Sequence, residues 1–356
     1  MLLTPSLREY RERSLGLYFA LKPPPEHLQG ALSPDVQARI PATRVSLSRV
    51  GVTGVEKIVR ISVNASEQLY HATLECFVDL NPRQAGVHMS RFEEIVNGAI
   101  DEVVLDEAFK AETLAAHIAE RVLDRQQGLR AEVILRARYP EYKETPVTGS
   151  RTQELYTLIG AAVASGRGLR RLVGVEAQGM TACPCAQELI ADEARRRLEA
   201  QGFTDDEIER VFESVPVATH NQRGIGTLYI GCPEDCSVQV SAQTLLRIVE
   251  SSMSSEIYEL MKRSDERAVV EKAHRNPRFV EDCVREMLSG ALGAFPDLHE
   301  DAFIRARQEN LETIHQHNVV AERYGLSGEI RRELESGRHS PHHVTMREWL
   351  ETPVPG

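Results

Sequence analysis

The chain has 356 residues, 42% of them hydrophobic and 27% charged, a composition that allows a large core without disulfide staples. Its formal net charge of −11 argues against gripping a nucleic-acid backbone, where Lys and Arg must release counterions, so any nucleotide is expected to be small and held in a local basic pocket. No apolar run reaches the roughly 20 residues that span a bilayer, and residues 1–16 carry charges where a signal peptide needs an apolar stretch, so a cytoplasmic protein is expected.

Residues 1–33 include Pro23, Pro24 and Pro25, which lock an extended backbone without donors and predict an arm ahead of the globular part. At 43–52, 57–63 and 70–80 apolar residues recur with a period near two, predicting three strands in a meander; Leu74, Cys76, Val78 and Leu80 share one face. Residues 92–109 and 112–126 place Ile95, Ile100, Val103, Leu114, Ile118 and Val122 at helical spacing, and a strand follows at 129–137. The second half runs similarly, with strands at 169–177 and 227–231 around a helical excursion, helices at 242–262 and 278–292, and a strand at 302–308.

This pattern predicts an α+β protein of two halves, 34–150 and 151–325, each of strands with a helix pair, and suggests internal duplication. In the excursion, 186–215, Thr204 and Glu207 have the spacing of a capping box, and the helix they start is expected to end before Pro216. Residues 326–356 are read as a last helix and a tail. The tail's His339, His342 and His343 are able to bind metal, but with little apolar content beyond Trp349 and Leu350 a frayed surface segment is expected.

Six cysteines, Cys76, Cys183, Cys185, Cys232, Cys236 and Cys283, are too few and scattered for a disulfide scaffold, so clustered ones point to metal or catalysis. In Thr181-Ala182-Cys183-Pro184-Cys185-Ala186-Gln187 the proline stiffens a turn between two sulfurs, at a spacing unlike the Cys-x-x-Cys of a chelating pair. One sulfur can ligate while the other packs or tunes it, or both can be small buried apolar groups. Cys232 and Cys236 are also spaced for a structural metal, and with Cys183 and Cys185 would make four thiolates, but such a closed site leaves no position for a substrate water.

The cluster Thr219-His220-Asn221-Gln222-Arg223-Gly224 offers an imidazole to a metal and several donors to a nucleotide, or is a polar loop. Residues 260–267, including Glu266, read as a charged helix end, and Glu281 and the run from Glu309 through Glu312 and His315 to His317 are by themselves ordinary surface charges.

Taken together these segments, with Val45–Val52, Gly86–Arg91, Tyr258–Glu266 and Asn276–Asp282, resemble the type IB GTP cyclohydrolases and more closely their archaeal-type relatives in methanopterin biosynthesis. The resemblance covers about residues 44–323 in order, and the long insertion between Cys185 and His220 matches the archaeal-type branch. It implies a tunnelling fold, in which antiparallel sheets with helix pairs join into an oligomeric barrel, as a homodimer or homotetramer with active sites where subunits meet.

It further implies Cys183, His220 and Glu266 as metal ligands, Glu281 as the clamp on the guanine edge, and Glu312 and His315 as acid and base. His88, Arg91, Gln222 and Arg223 are expected to contact GTP, with Lys262, Arg263 and Arg275 as further candidates for the triphosphate. The expected cofactor is Fe(II), with Zn(II) or Mn(II) as alternatives, since thiolate, imidazole and carboxylate donors suit all three. The product would be formate and a dihydroneopterin phosphate, linear or cyclic. The competing readings are a metal-stabilised scaffold without activity, and a tunnelling-fold enzyme acting on a pterin or deazapurine.

Overall fold

The computed structural model of the chain describes residues 37–352 apart from 64–65, 106–109, 234–235 and 237; the expected arm at 1–33 and the Phe109 end of the first expected helix lie outside the described residues. In β2 (Ser66–Leu80), Leu74, Cys76, Val78 and Leu80 are buried on one side, as period-two spacing requires. Its partner β1 (Leu47–Val63) runs unbroken through two segments expected to be separate strands. Gly54, at φ 66°, accommodates a bulge between Val52 and Val55 instead of a chain reversal, so the expected meander is a long hairpin.

Next come α1 (Met89–Leu105) and α2 (Ala111–Gln126), the latter burying Leu114, Ile118 and Val122. β3 (Arg130–Glu144) and β4 (Arg151–Ser165) follow. No strand was expected at β4, because Leu158 to Ala164 is buried on both faces and the run shows no alternation to read.

β5 (Gly168–Ala182) leads into the excursion, α3 (Pro184–Ala200) and α4 (Asp205–Ser214), and β6 (Asn221–Cys232) returns beside β5. The Thr204 capping box forms, with the Glu207 amide donating to Thr204 Oγ1 and the Thr204 amide to Glu207 Oε2. α3 buries none of its residues and α4 only Ile208, so the excursion lies outside the core.

α5 (Ala242–Ser251) is much shorter than the helix expected at 242–262. The serines that follow explain the stop: Ser251 and Ser252 hydroxyls donate back to the Ile248 and Val249 carbonyls, and Ser252, Ser254 and Ser255 are buried. A short β7 (Ser255–Glu256) pairs with β5, and α6 (Arg263–Arg275) begins where the longer helix was expected to end. α7 (Val280–Ala294), β8 (Phe303–Leu311), β9 (Val319–Leu326), α8 (Ser327–Ser336) and α9 (Met346–Glu351) complete the chain. β9 escaped the sequence reading because it is a half-exposed edge strand carrying Glu322 and Arg323.

Among the described residues nine strands form one antiparallel sheet in the order β1-β2-β3-β4-β5-β6-β8-β9, with β7 beside β5. One core joins the sheet to α1, α2, α5 and α7 through residues such as Phe92, Leu114, Val133, Leu228, Leu245, Met287 and Ile304. On the sheet's other face, neighbours of core residues carry a second cluster: Ala161, Val163, Leu172 and Phe303, covered by Trp349 and Leu350 of α9. Trp349 is 2% exposed, donates from Nε1 to the Asp301 carbonyl at 2.8 Å, and lies over Gly231, where a Cβ would come within 2.6 Å of its ring. The tail is thus docked, contrary to the frayed segment expected, because two large side chains are enough apolar surface to hold a short helix on the sheet.

Candidate active site

Antiparallel register gathers the end of β5, the start of β6, the end of β8 and the start of β9 at one end of the sheet: Ala182 pairs with Asn221, Arg223 with Leu311, and Asn310 with Val319. The start of α7 is tied to the same end by the Arg278 amide, which donates to the Ala182 carbonyl at 3.0 Å. Between these segments lies an open pocket of about 460 Å³, lined among others by Cys183, His220, Glu281, Glu312 and His315.

Cys183 is the N-cap residue of α3. Its amide donates to the His220 carbonyl at 3.1 Å and its carbonyl accepts from Thr219 Oγ1 at 2.7 Å, so thiol and imidazole are presented from a shared backbone clamp. Cys185, further along the first turn, is exposed.

His220 Nδ1 is 3.0 Å from Gln222 Oε1, while the Gln222 amide nitrogen donates to Thr181 Oγ1 at 3.0 Å. With the amide so oriented, Nδ1 carries the proton and donates, which leaves the Nε2 lone pair for a ligand. Glu312 Oε2 lies 3.7 Å from Nδ1, and the two side chains are only 7% and 14% exposed, Glu312 the more buried. Thr313 Oγ1 donates to the Asn221 carbonyl at 3.1 Å and fixes the loop that carries His315. The rings of His315 and His317 stack at 5.1 Å.

The pocket is also lined by residues that were not site candidates from sequence, among them Arg278, Phe279, Asn310 and His317. Arg278 and Phe279 sit in a stretch whose charge and turn character gave no reason to choose them; the bond from the Arg278 amide to the Ala182 carbonyl brings them to the pocket that Cys183 also lines. The Arg278 guanidinium donates to the Ser252 carbonyl at 2.8 Å, and Phe279 is 45% exposed at the pocket.

Other expected residues lie elsewhere. Glu266 is exposed on the first turn of α6, outside the pocket lining. Its neighbour Asp265 is fully buried and accepts from the Val147 and Thr148 amides, Thr148 Oγ1 and the Lys262 amide. Burial by itself would raise the Asp265 pKa, but the Thr148 and backbone hydrogen bonds outweigh it and hold the carboxyl well below the usual range. Arg223 is exposed on β6 and reaches Gln178 at 3.3 Å. His88 and Arg91 lie at the start of α1, the His88 carbonyl accepting from Gln126 and Arg91 reaching the Arg125 carbonyl. Lys262, Arg263 and Arg275 are also outside the lining, and Arg275 is engaged by Glu271 and the Glu213 carbonyl.

Cys232 stands at the far end of β6, paired with Arg171, roughly 35 Å along the strand from Asn221 at about 3.3 Å per residue. That separation removes the four-thiolate reading. Burial and a hydrogen bond with Cys236 push the Cys232 thiol pKa up, which favours its neutral form.

Among the described residues, the set of His, Cys or acidic side chains whose ligand atoms all lie within 4.8 Å of one another is Glu333, His339 and His343, which is able to coordinate a metal ion. No helix among the described residues is long and apolar enough to cross a membrane.

The model of the family "Type I GTP cyclohydrolase folE2" matches residues 33–321. "GTP cyclohydrolase MptA" of Methanococcus aeolicus is 41% identical over 307 residues, covering 84% of this chain and 99% of its own. The protein of that name in Methanothermobacter thermautotrophicus is 42% identical over 309 residues, covering 85% of this chain and 96% of its own. Among solved structures, a uricase from Arthrobacter globiformis gives a TM-score of 0.45 at 8% identity, over 84% of this chain and 98% of that one, a distant likeness. The chain belongs to the type I GTP cyclohydrolase family. As a member it is an enzyme, a GTP cyclohydrolase.

Proposed function

We propose that the pocket at the Cys183 end of the sheet opens the imidazole ring of GTP, releasing formate and forming a 7,8-dihydroneopterin phosphate for folate or methanopterin-type pterins. The observation that carries this reading is the convergence of a thiol, an imidazole with a free Nε2, two carboxylates and a histidine pair on one pocket.

Cys183 and His220 would hold a divalent ion, Fe(II) in the active form with Zn(II) or Mn(II) as alternatives; a thiol and an imidazole with a free Nε2 on one pocket suit such an ion, and Glu266 of a neighbouring subunit would complete the set. When bound, the ion supplies Lewis acidity that lets a water act as hydroxide near neutral pH.

The chain's own residues do the rest. Glu281 accepts from guanine N1–H and the exocyclic amine, two parallel bonds that a carboxylate is shaped to take. Phe279 offers an apolar flank to the flat base. His315, stacked on His317 and sharing the pocket with Glu312, moves protons as the ring opens and the ribose rearranges. The first turn of α3 carries no acid, so its free amide end favours an anionic substrate.

We read the architecture as a tunnelling fold. The order β1-β2-α1-α2-β3-β4 recurs as β5-β6-α5-α7-β8-β9, with α3–α4 inserted between β5 and β6, β7 and α6 inserted between α5 and α7, and the joint in the β4–β5 turn. In a homodimer or homotetramer of such units, Glu266, His88, Arg91 and Arg223 would reach a pocket of a neighbouring subunit, which accounts for ligands and cations lying outside the pocket of one chain.

The α3–α4 insertion favours the archaeal-type product. Under anaerobic conditions with Fe(II), GTP is expected to yield formate and the 2',3'-cyclic phosphate, separable by chromatography from the linear triphosphate. Absence of turnover with Fe(II), Mn(II) and Zn(II) would overturn the catalytic reading, and a substrate adduct on Cys183 would make that residue a nucleophile instead of a ligand.

A further inference from the structure

We propose that Glu333, His339 and His343 form a second metal site, taking Zn(II) or a similar divalent transition ion, that pins the C-terminal segment to α8. The three residues come from the body of α8 and from the stretch between α8 and α9, and none lies within the 33–321 span of the family match or in the lining of the pocket.

Two independent observations point to a ligand. The donor atoms of all three side chains lie within 4.8 Å of one another, and Glu333 Oε1 is 3.9 Å from His343 Nε2. Zinc bonds of about 2.0–2.1 Å set tetrahedral donor separations of about 3.4 Å, so a small inward movement of each side chain closes the site. His343 Nε2 is also buried yet has no hydrogen-bond partner, since 3.9 Å to the carboxylate is too long for one. A buried ring nitrogen without a partner, facing a carboxylate and a second imidazole, is matched by an ion that accepts its lone pair.

The surroundings orient the donors. Arg323 Nη2 holds Glu333 Oε2 at 3.2 Å and the Ser340 amide donates to Oε1 at 2.8 Å, which fixes the carboxylate plane and leaves an Oε1 lone pair toward His343. The Arg323 cation beside the site opposes a metal, so affinity must come from the two imidazoles. Their spacing, His339 and His343 across a Ser-Pro-His turn, is that of paired ligands in short zinc motifs. With three protein ligands, the fourth position is left for water. Pinning these residues to α8 shortens the free chain between the helix and the buried anchor Trp349.

The test uses the full chain carrying Cys183→Ala and His220→Ala, stripped with chelator and reloaded with Zn(II) or Co(II) alone. One equivalent per chain is expected to survive desalting, with Co(II) giving visible absorption bands. Addition of His339→Ala and His343→Ala should abolish both, whereas His342→Ala, outside the cluster, should keep them. Zinc should slow tryptic cleavage after Arg338 at least about tenfold, and chelator should reverse this. Circular dichroism and gel filtration verify folding of the quadruple variant, and the single exposed change His339→Gln, expected to weaken retention, serves if it does not fold. The proposal is overturned if the parent retains no ion, or if the variants lacking His339 or His343 retain it as the parent does.

Discussion

At the scale of residues, the chemistry turns on which nitrogen of His220 is free. Gln222, in the pocket wall, uses both ends of its amide, on Thr181 and His220, and so positions the imidazole. Gln222→Leu should therefore weaken metal binding about 10- to 100-fold, the usual cost of removing a ligand's supporting partner, measured by competition with a chromogenic chelator. Glu281→Gln should behave in the opposite way, retaining metal while losing GTP turnover, because it faces the pocket from α7 without touching His220. Unchanged metal affinity in the first variant, or full turnover in the second, would reassign these residues. Thiol and imidazole chemistry marked Cys183 and His220 as candidates with alternatives left open, and the family resemblance chose between them. Gln222's supporting part was not legible, since it depends on Thr181 lying opposite in the β5–β6 register. Arg278 and Phe279 were missed because they reach the pocket through the Arg278 amide bond to the distant Ala182 carbonyl.

At the scale of elements, two packed features carry testable energetics. Trp349 fills the face of the sheet over Phe303 and Gly231, so Trp349→Ala should cost about 3–5 kcal/mol, as for other large-to-small core changes, read as a lower urea midpoint; a cost near zero would mean that α9 does not stay docked. Asp265 ties the turn before β4 to the start of α6. Its carboxyl is held below the ordinary value, so its contribution is complete above the unfolded-state pKa of about 4 and fades as pH falls through the folded value. Asp265→Asn should accordingly lower Tm at pH 7, by an amount that shrinks as pH drops below about 4. A penalty independent of pH would show that the charge has no part in it. Alternation and helical spacing revealed β2, α2 and α7, whose buried faces are regular. They could not reveal β4, buried on both faces, or the end of α5, which is set by serine hydroxyls bonding back to the helix. Nor could they show that Asp265, and not the adjacent Glu266, is the buried acid of that turn.

At the scale of the whole molecule, one antiparallel sheet brings segments separated by more than a hundred residues to a single end, where a metal-dependent attack on GTP is proposed. The most direct measurement is formate released from GTP as Fe(II) is titrated anaerobically into metal-free enzyme, for the native chain and for Cys183→Ala and His220→Ala. The account predicts that formate production in the native chain rises with bound iron and saturates near one pocket equivalent, and that both variants lose turnover together with that equivalent. Formate release by either variant at the native rate, or release from the native chain that is indifferent to metal, would contradict it.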